Sequence, residues 1–228
     1  MQNDNIKVTD SEKPGLLVGC YGFWVILTYV NAVAGLTGMY FALNGNIRFA
    51  FICLMFAGLC DGLDGRVASL KVRTDREKSY GIQIDAFSDI ISFGIFPPVL
   101  GYALIKHESE IFVISYLVLS VLFILAALIR LAYFNVIETE HLNRRERRTY
   151  FEGLPVTSVS IFLPMVYSLC CVLNLPLSYL YTLALIIIAV LFVARIKLPK
   201  PRGRFLVFLC LAALPAALYI IIFGGNQL

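Results

Sequence analysis

CDGLDGRVASLKVRTDREKSYGIQIDAFSDIISFG, residues 60–94, sets four aspartates in two spaced pairs, Asp61 with Asp64 and Asp85 with Asp89. The flanks are oily: FAFICLMFAGL precedes the stretch and IFPPVLGYALI follows it. Of the 228 residues, 59% are apolar and 15% charged, against roughly half and a quarter in soluble globular chains. No single aqueous core absorbs that much apolar surface, so the expected solvent is a bilayer. The apolar runs are continuous rather than alternating, which favours spanning helices over barrel strands. The fold class expected is all-α, a polytopic transmembrane helix bundle of six to eight spans.

Apolar runs between charge clusters and turn residues give seven candidate helices, near 19–43, 46–69, 81–105, 110–137, 155–174, 177–195 and 204–223. Asn44-Gly45-Asn46 reads as the turn between the first two, and Asn174-Leu175-Pro176 as the break between the fifth and sixth. The start is not read as a signal peptide. Residues 1–13 mix acids with bases, and the apolar run that follows is too long for one. The six cysteines are scattered through the apolar runs without ligand spacing and read as small buried hydrophobes. No internal repeat of the kind found in duplicated transporters is visible.

The basic residues test this threading. Lys7 and Lys13, the run Lys71 to Lys78, Arg144 to Arg148, and Arg195 to Arg204 all fall in alternate connections. The opposite connections hold only Arg48 and Lys106, while Arg66 and Arg130 lie inside helices. The positive-inside rule then puts the N-terminus and the basic loops in the cytoplasm. The expected organisation is a cytoplasmic segment 1–18, a catalytic transmembrane bundle 19–196, and a basic cytoplasmic loop with a C-terminal helix over 197–228. The basic loops serve as topology signals and would also attract anionic lipid head groups. Membrane lipid is an expected partner, and nucleic acid is not.

In this threading all four acids fall near the cytoplasmic ends of two consecutive antiparallel helices. Spacings of three and four put each pair on one helix face. Bare carboxylates facing one another at low dielectric must be protonated, paired with bases or neutralised by metal. Hard oxygen donors at helical spacing suit magnesium, manganese or calcium. Four aspartates balance two divalent cations in formal charge, which favours a two-metal site. The alternative is an anchor in which the acids pair with Arg66, Arg73, Arg76 or Lys78. Two phased pairs at one depth weigh against it, because intramembrane acids are costly and usually functional. Gly62, Gly65 and Gly81 serve either close helix packing or room for a bulky ligand beside the acids.

The pattern resembles the CDP-alcohol phosphotransferase family, whose signature is D-x-x-D-G-x-x-A-R, a spacer of about eight, then G-x-x-x-D-x-x-x-D. Asp61, Asp64, Gly65 and Ala68 stand in register with its first half, and Gly81, Asp85 and Asp89 with its second. Ser69 stands where the family has arginine, and the spacer before Gly81 is longer. Other stretches are similar to the phosphatidylserine synthase branch: Ser92-Phe93-Gly94, RLAYFNV from Arg130, and YFEGLPVTS from Tyr150. Thr28, Asn31 and Gly35 match a T-x-x-N-x-x-x-G motif on the first helix. The resemblance spans roughly residues 25–160.

The resemblance implies an integral cytoplasmic-membrane enzyme that moves a phosphatidyl group from CDP-diacylglycerol to L-serine and releases CMP. It implies metal ligation by Asp61, Asp64, Asp85 and Asp89, with Asp89 also the general base. Asn31, Gly65, Ala68, Ser69 and Gly81 would line the cytidine nucleotide site, and a homodimer is the implied assembly. Arg130 and Asn135 are the acceptor-side candidates, since a guanidinium pairs bidentately with a carboxylate such as that of serine. Arg130 could equally snorkel to head groups or pair with a site aspartate. Ser92, Glu152, Gly153 and Thr157 lie in the branch-like motifs without an assigned contact. With serine at 69, positive charge for the diphosphate must come from Arg66, Arg73 or the metals. Two other readings stay open: the same chemistry with glycerol phosphate, inositol phosphate or another polar alcohol, and a divalent-cation transporter.

Overall fold

The computed structural model describes residues 19, 22–144, 150–152, 154–194, 197–199 and 214–222, and for 141–144, 150–152 and 197–199 the backbone alone. The expected segment 1–18 and most of the two later basic connections lie outside these residues. The described chain is helical almost throughout, as the continuous apolar runs predict.

A 3-10 turn, Phe23–Val25, leads into α1 (Ile26–Leu43). Asn44-Gly45-Asn46 then reverses the chain into α2 (Ile47–Ala68). Gly45 takes φ 79° there, a left-handed conformation that a side chain would strain. The Asn44 side-chain amide donates to the Tyr40 carbonyl at 2.8 Å and closes the end of α1. α2 is 22 residues long, but Arg48, Asp61, Asp64 and Arg66 interrupt its apolar character.

The connection after α2 is shorter than the sequence suggested. The KVRTDREKSY stretch reads as a lengthened loop, yet α3 (Asp75–Asp89) begins inside it. Thr74 and Glu77 form a reciprocal capping box: the Glu77 amide donates to Thr74 Oγ1, and the Thr74 amide donates to Glu77 Oε2 at 2.9 Å. Such a cap satisfies otherwise orphaned amides of the first turn. Lys71 pairs with Glu77 and Lys78 with Asp75, which ties the turn to the helix start.

α3 continues through a π-helical segment, Ile90–Ile95, into α4 (Phe96–Ile105). The proline pair explains the change of pitch. Pro97 and Pro98 have no amide hydrogen to give the preceding turn, and the Phe96 amide bonds the Ile91 carbonyl instead. The Pro97 and Pro98 carbonyls accept from the Tyr181 and Tyr116 hydroxyls, each at 2.9 Å. Polar demands inside the bilayer are thus met by protein groups.

α5 (Glu110–Arg144) is the longest helix. A strand segment β1 (Tyr150–Glu152) and a 3-10 turn, Val156–Ser158, lead to α6 (Val159–Leu173). Asn174 at φ 51° ends α6, and α7 (Leu177–Val193) follows. β2 (Lys197–Pro199) pairs antiparallel with β1, and residues 214–222 form α8. α8 packs back on the bundle: the Ala216 carbonyl accepts from Ser168, the Ile221 carbonyl accepts from Arg48, and Ile220 lies in the core.

Among the described residues, four helices are long and apolar enough to cross a membrane: Phe23–Leu43, Asp75–Ile105, Glu110–Glu140 and Val156–Leu173. Phe51, Phe93, Phe96, Phe123, Leu163 and Tyr181 are central to the core they share with α2 and α7. Outside it, Ile111, Ile114, Val118, Val121, Leu125 and Ile129 are exposed along one side of α5. A water-exposed stripe of that length would be an aggregation hazard, whereas lipid accommodates it.

Small residues set the approach of the inner helices. A side chain at Gly35 would strike Ser92, one at Gly38 would strike Phe96, and one at Gly58 would strike Ser160. Residues 28, 31, 35 and 38 thus meet 88, 92 and 96 in ascending order, so α1 runs parallel to the α3–α4 helix. The hairpin makes α2 antiparallel to both.

Candidate active site

α1 packs on both α2 and α3, while α2 and α3 make little backbone contact with each other. The four aspartates project into that gap. Carboxylate oxygens of Asp61, Asp64 and Asp85 all lie within 4.8 Å of one another. Asp64 faces Asp85 within hydrogen-bonding reach, and Asp61 faces Asp89 likewise. Asp89 stands outside the tight triple and is the most deeply buried of the four.

Three hydrogen bonds dock the turns around Asp89 on α1, one of them to Asp89 itself. Asn31 Nδ2 donates to Asp89 Oδ1 at 3.2 Å, Ser88 Oγ donates to the Thr28 carbonyl at 2.8 Å, and Ser92 Oγ donates to the Asn31 carbonyl at 2.9 Å. The motif carried by Thr28, Asn31 and Gly35 is therefore the face that docks the acid-bearing helix. On the other side, Thr157 Oγ1 donates to Asp61 Oδ2 at 2.7 Å. Its carbonyl in turn accepts from Ser160, whose side chain packs on Gly58 of α2.

Asp61, Asp64, Asp85 and Asp89 make no ion pair with lysine or arginine among the described residues. Lys78, one candidate for an anchor, is committed to Asp75. Arg73 acts on Asp64 electrostatically, without a close ion pair. Carboxylates this close at low dielectric need protons or cations between them.

The donor set fits a divalent cation. Every donor is a hard oxygen, three converge, and Asp85 Oδ1 and Asn31 Oδ1 are buried without a protein partner. Orphaned buried oxygens of this kind call for a water or an ion.

The glycines divide by surroundings. A side chain added at Gly62 or Gly65 would meet nothing within 4 Å, so both border open space beside the acids. At Gly81 it would lie 3.3 Å from Arg73 and 3.3 Å from Trp24. Ala68 is buried with Trp24 and Val25. Ser69 turns back on its own helix, its hydroxyl donating to the Arg66 carbonyl at 2.6 Å.

Arg130 is buried, with Nε donating to the Leu154 carbonyl at 3.2 Å and its guanidinium 5.8 Å from the Phe134 ring. It braces the entry to α6. Asn135 is half-buried, and its carbonyl accepts from Thr139. Gly153 lies outside the described residues, and Glu152 is described by its backbone alone.

The fold and site define a membrane helix bundle holding a carboxylate cluster that can carry divalent metal. A family model described as CDP-alcohol phosphatidyltransferase matches residues 25–223. The chain belongs to the CDP-alcohol phosphatidyltransferase family.

Among curated relatives, a CDP-diacylglycerol–serine O-phosphatidyltransferase of Methanocaldococcus jannaschii is 30% identical over 193 residues, covering 82% of each chain. An archaetidylserine synthase of Methanothermobacter thermautotrophicus is 28% identical over 178 residues, covering 78% of this chain and 70% of its own. A CDP-diacylglycerol–serine O-phosphatidyltransferase of Mycobacterium leprae is 30% identical over 135 residues. That match covers 59% of this chain and 43% of the relative's length.

Proposed function

We propose that the chain transfers a phosphatidyl group from CDP-diacylglycerol or a similar CDP-lipid to the hydroxyl of L-serine, releasing CMP. The observation that carries the reading is the convergence of Asp61, Asp64 and Asp85 beside the buried, Asn31-held Asp89. The serine-specific names of several relatives favour the acceptor.

Asp61, Asp64 and Asp85 would hold divalent magnesium or manganese, with Asp89 close enough to share in a two-ion site. Bound metal would withdraw charge from the diphosphate and orient attacker and leaving group. Asp89 takes the proton of the serine hydroxyl as that oxygen bonds to phosphorus. The bond from phosphorus to the CMP oxygen breaks, and CMP leaves with the electron pair. Asn31 holds one Asp89 oxygen by hydrogen bonding, which orients the other toward the hydroxyl. Thr157 holds Asp61 in the same way. The open side of Gly65 gives the nucleotide room, and Arg130 with Asn135 serves the acceptor side.

The bundle over 19–196 is the catalytic unit, with 1–18 and the basic loop after 196 in the cytoplasm of a cytoplasmic-membrane homodimer. The lipid tails remain in the bilayer while serine arrives from water. A screen of radiolabelled alcohols with CDP-diacylglycerol and Mg²⁺ or Mn²⁺ tests the reading. Label entering lipid from serine alone supports it. Label entering from glycerol phosphate or inositol phosphate instead overturns the acceptor. Metal flux through liposomes without CMP release would overturn the transferase in favour of a transporter.

A further inference from the structure

We propose that Arg73 supplies the cationic contact for the nucleotide diphosphate, delivered from the turn between α2 and α3; this rests on the transferase reading above.

The surroundings of Arg73 separate it from its neighbours. Lys71 and Lys78 are spent on Glu77 and Asp75, and Arg66 and Arg76 are exposed. Arg73 is half-buried, with its guanidinium 5.5 Å from the centre of the Trp24 ring. One Nη reaches the side of Gly81, where an added Cβ would come within 3.3 Å of it, one helical turn before Asp85. The Thr74–Glu77 cap holds the turn that aims it there.

A cation–π contact with an aromatic ring attracts a guanidinium without requiring a hydrogen-bond acceptor. Among the described residues Arg73 makes no hydrogen bond, so its fork of donors is unspent. It lies near enough to Asp64 to interact electrostatically. A diphosphate seated between the carboxylate cluster and Gly81 would meet these donors in a bidentate arrangement. Ser69, whose hydroxyl closes α2, has no charge to offer, and the side chain four residues later takes that part.

The test is equilibrium dialysis of radiolabelled CDP and cytidine against the detergent-solubilised full chain with Mg²⁺. Wild type is compared with Arg73→Ala, Arg73→Lys and the exposed control Arg76→Ala. Arg73→Ala is expected to weaken CDP about ten- to a hundredfold and to leave cytidine unchanged. Arg73→Lys keeps a charge without the fork and should fall between. Arg76→Ala should match wild type. Arg73→Ala binding CDP as wild type does would overturn the proposal, as would equal losses for Arg73→Ala and Arg76→Ala. Retained CDP binding by Arg73→Lys shows that the site is folded when Arg73→Ala fails. A wild type that releases CMP with a loss-free Arg73→Ala condemns Arg73 alone, whereas a wild type that neither binds CDP nor releases CMP overturns both readings.

Discussion

Thr157 Oγ1 donates to Asp61 Oδ2 at 2.7 Å, joining the entry of α6 to the acid-bearing turn of α2. The bond ties a segment distant in sequence to one member of the carboxylate triple. Hydrogen bonds to a metal ligand orient it and set its affinity. Thr157→Val keeps the shape and removes the donor. It is expected to weaken the metal dependence of CMP release by about ten- to a hundredfold, and Thr157→Ser should recover most of the loss. The concentration of Mn²⁺ giving half-maximal release is the quantity to measure.

Asp89 is the acid with the clearest individual place, buried and held by Asn31. Asp89→Asn is expected to lower kcat about a hundred- to ten-thousandfold, the range for loss of a general base. The KM for CDP-lipid should move far less. Steady-state kinetics with both substrates varied separates the two effects, and a variant with near-normal kcat would remove Asp89 from the base role.

Two glycines of α2 predict opposite phenotypes. At Gly58 a side chain strikes Ser160, so Gly58→Val should cost about 1–3 kcal/mol by overpacking and lower the thermal midpoint in detergent. At Gly65 a side chain meets nothing within 4 Å. Gly65→Val should therefore keep the midpoint and lose CDP binding, because it fills the space beside the acids. Thermal unfolding and nucleotide dialysis on the same preparations distinguish packing from ligand room.

The cap at the start of α3 predicts a milder effect. Thr74→Ala removes the acceptor for the Glu77 amide and should cost about 0.5–2 kcal/mol, while Thr74→Ser should cost little. Hydrogen exchange of the Glu77 and Lys78 amides would locate the loss in the first turn.

Much of this architecture was legible because membrane spans announce themselves by length and continuity. Expected and observed bounds agree to within a turn for α2, α6 and α7, whereas α1 begins at Ile26 rather than 19 and α5 runs on to Arg144 rather than ending at 137. The early start of α3 was misread from the polarity of DREKSY. A helical turn outside the apolar core has no hydrophobic period to betray it, although Thr74 and Glu77 were visible at capping-box spacing. The π segment was missed for a related reason: Pro97-Pro98 signals a disturbed ladder without saying how the ladder adapts. The acid pairs could be read from helical phase, and their convergence follows from the hairpin geometry of α1 and α2. Thr157 could not be read that way. Its partner is set by how α6 docks on α2, which depends on the Gly58–Ser160 contact and not on any local pattern. Arg73 and Arg66 were equivalent in sequence, and only the fold turns one of them onto Trp24.

The central claim is that the carboxylate cluster performs metal-dependent transfer to serine. Its most direct test is radiolabelled serine entering lipid, with CMP release measured in parallel, by the purified chain given CDP-diacylglycerol and Mn²⁺. The account predicts equal molar yields of labelled lipid and CMP, abolished by chelator and by Asp85→Asn, and restored to the chelated wild type by added metal. Serine incorporation that survives both chelation and Asp85→Asn would contradict it.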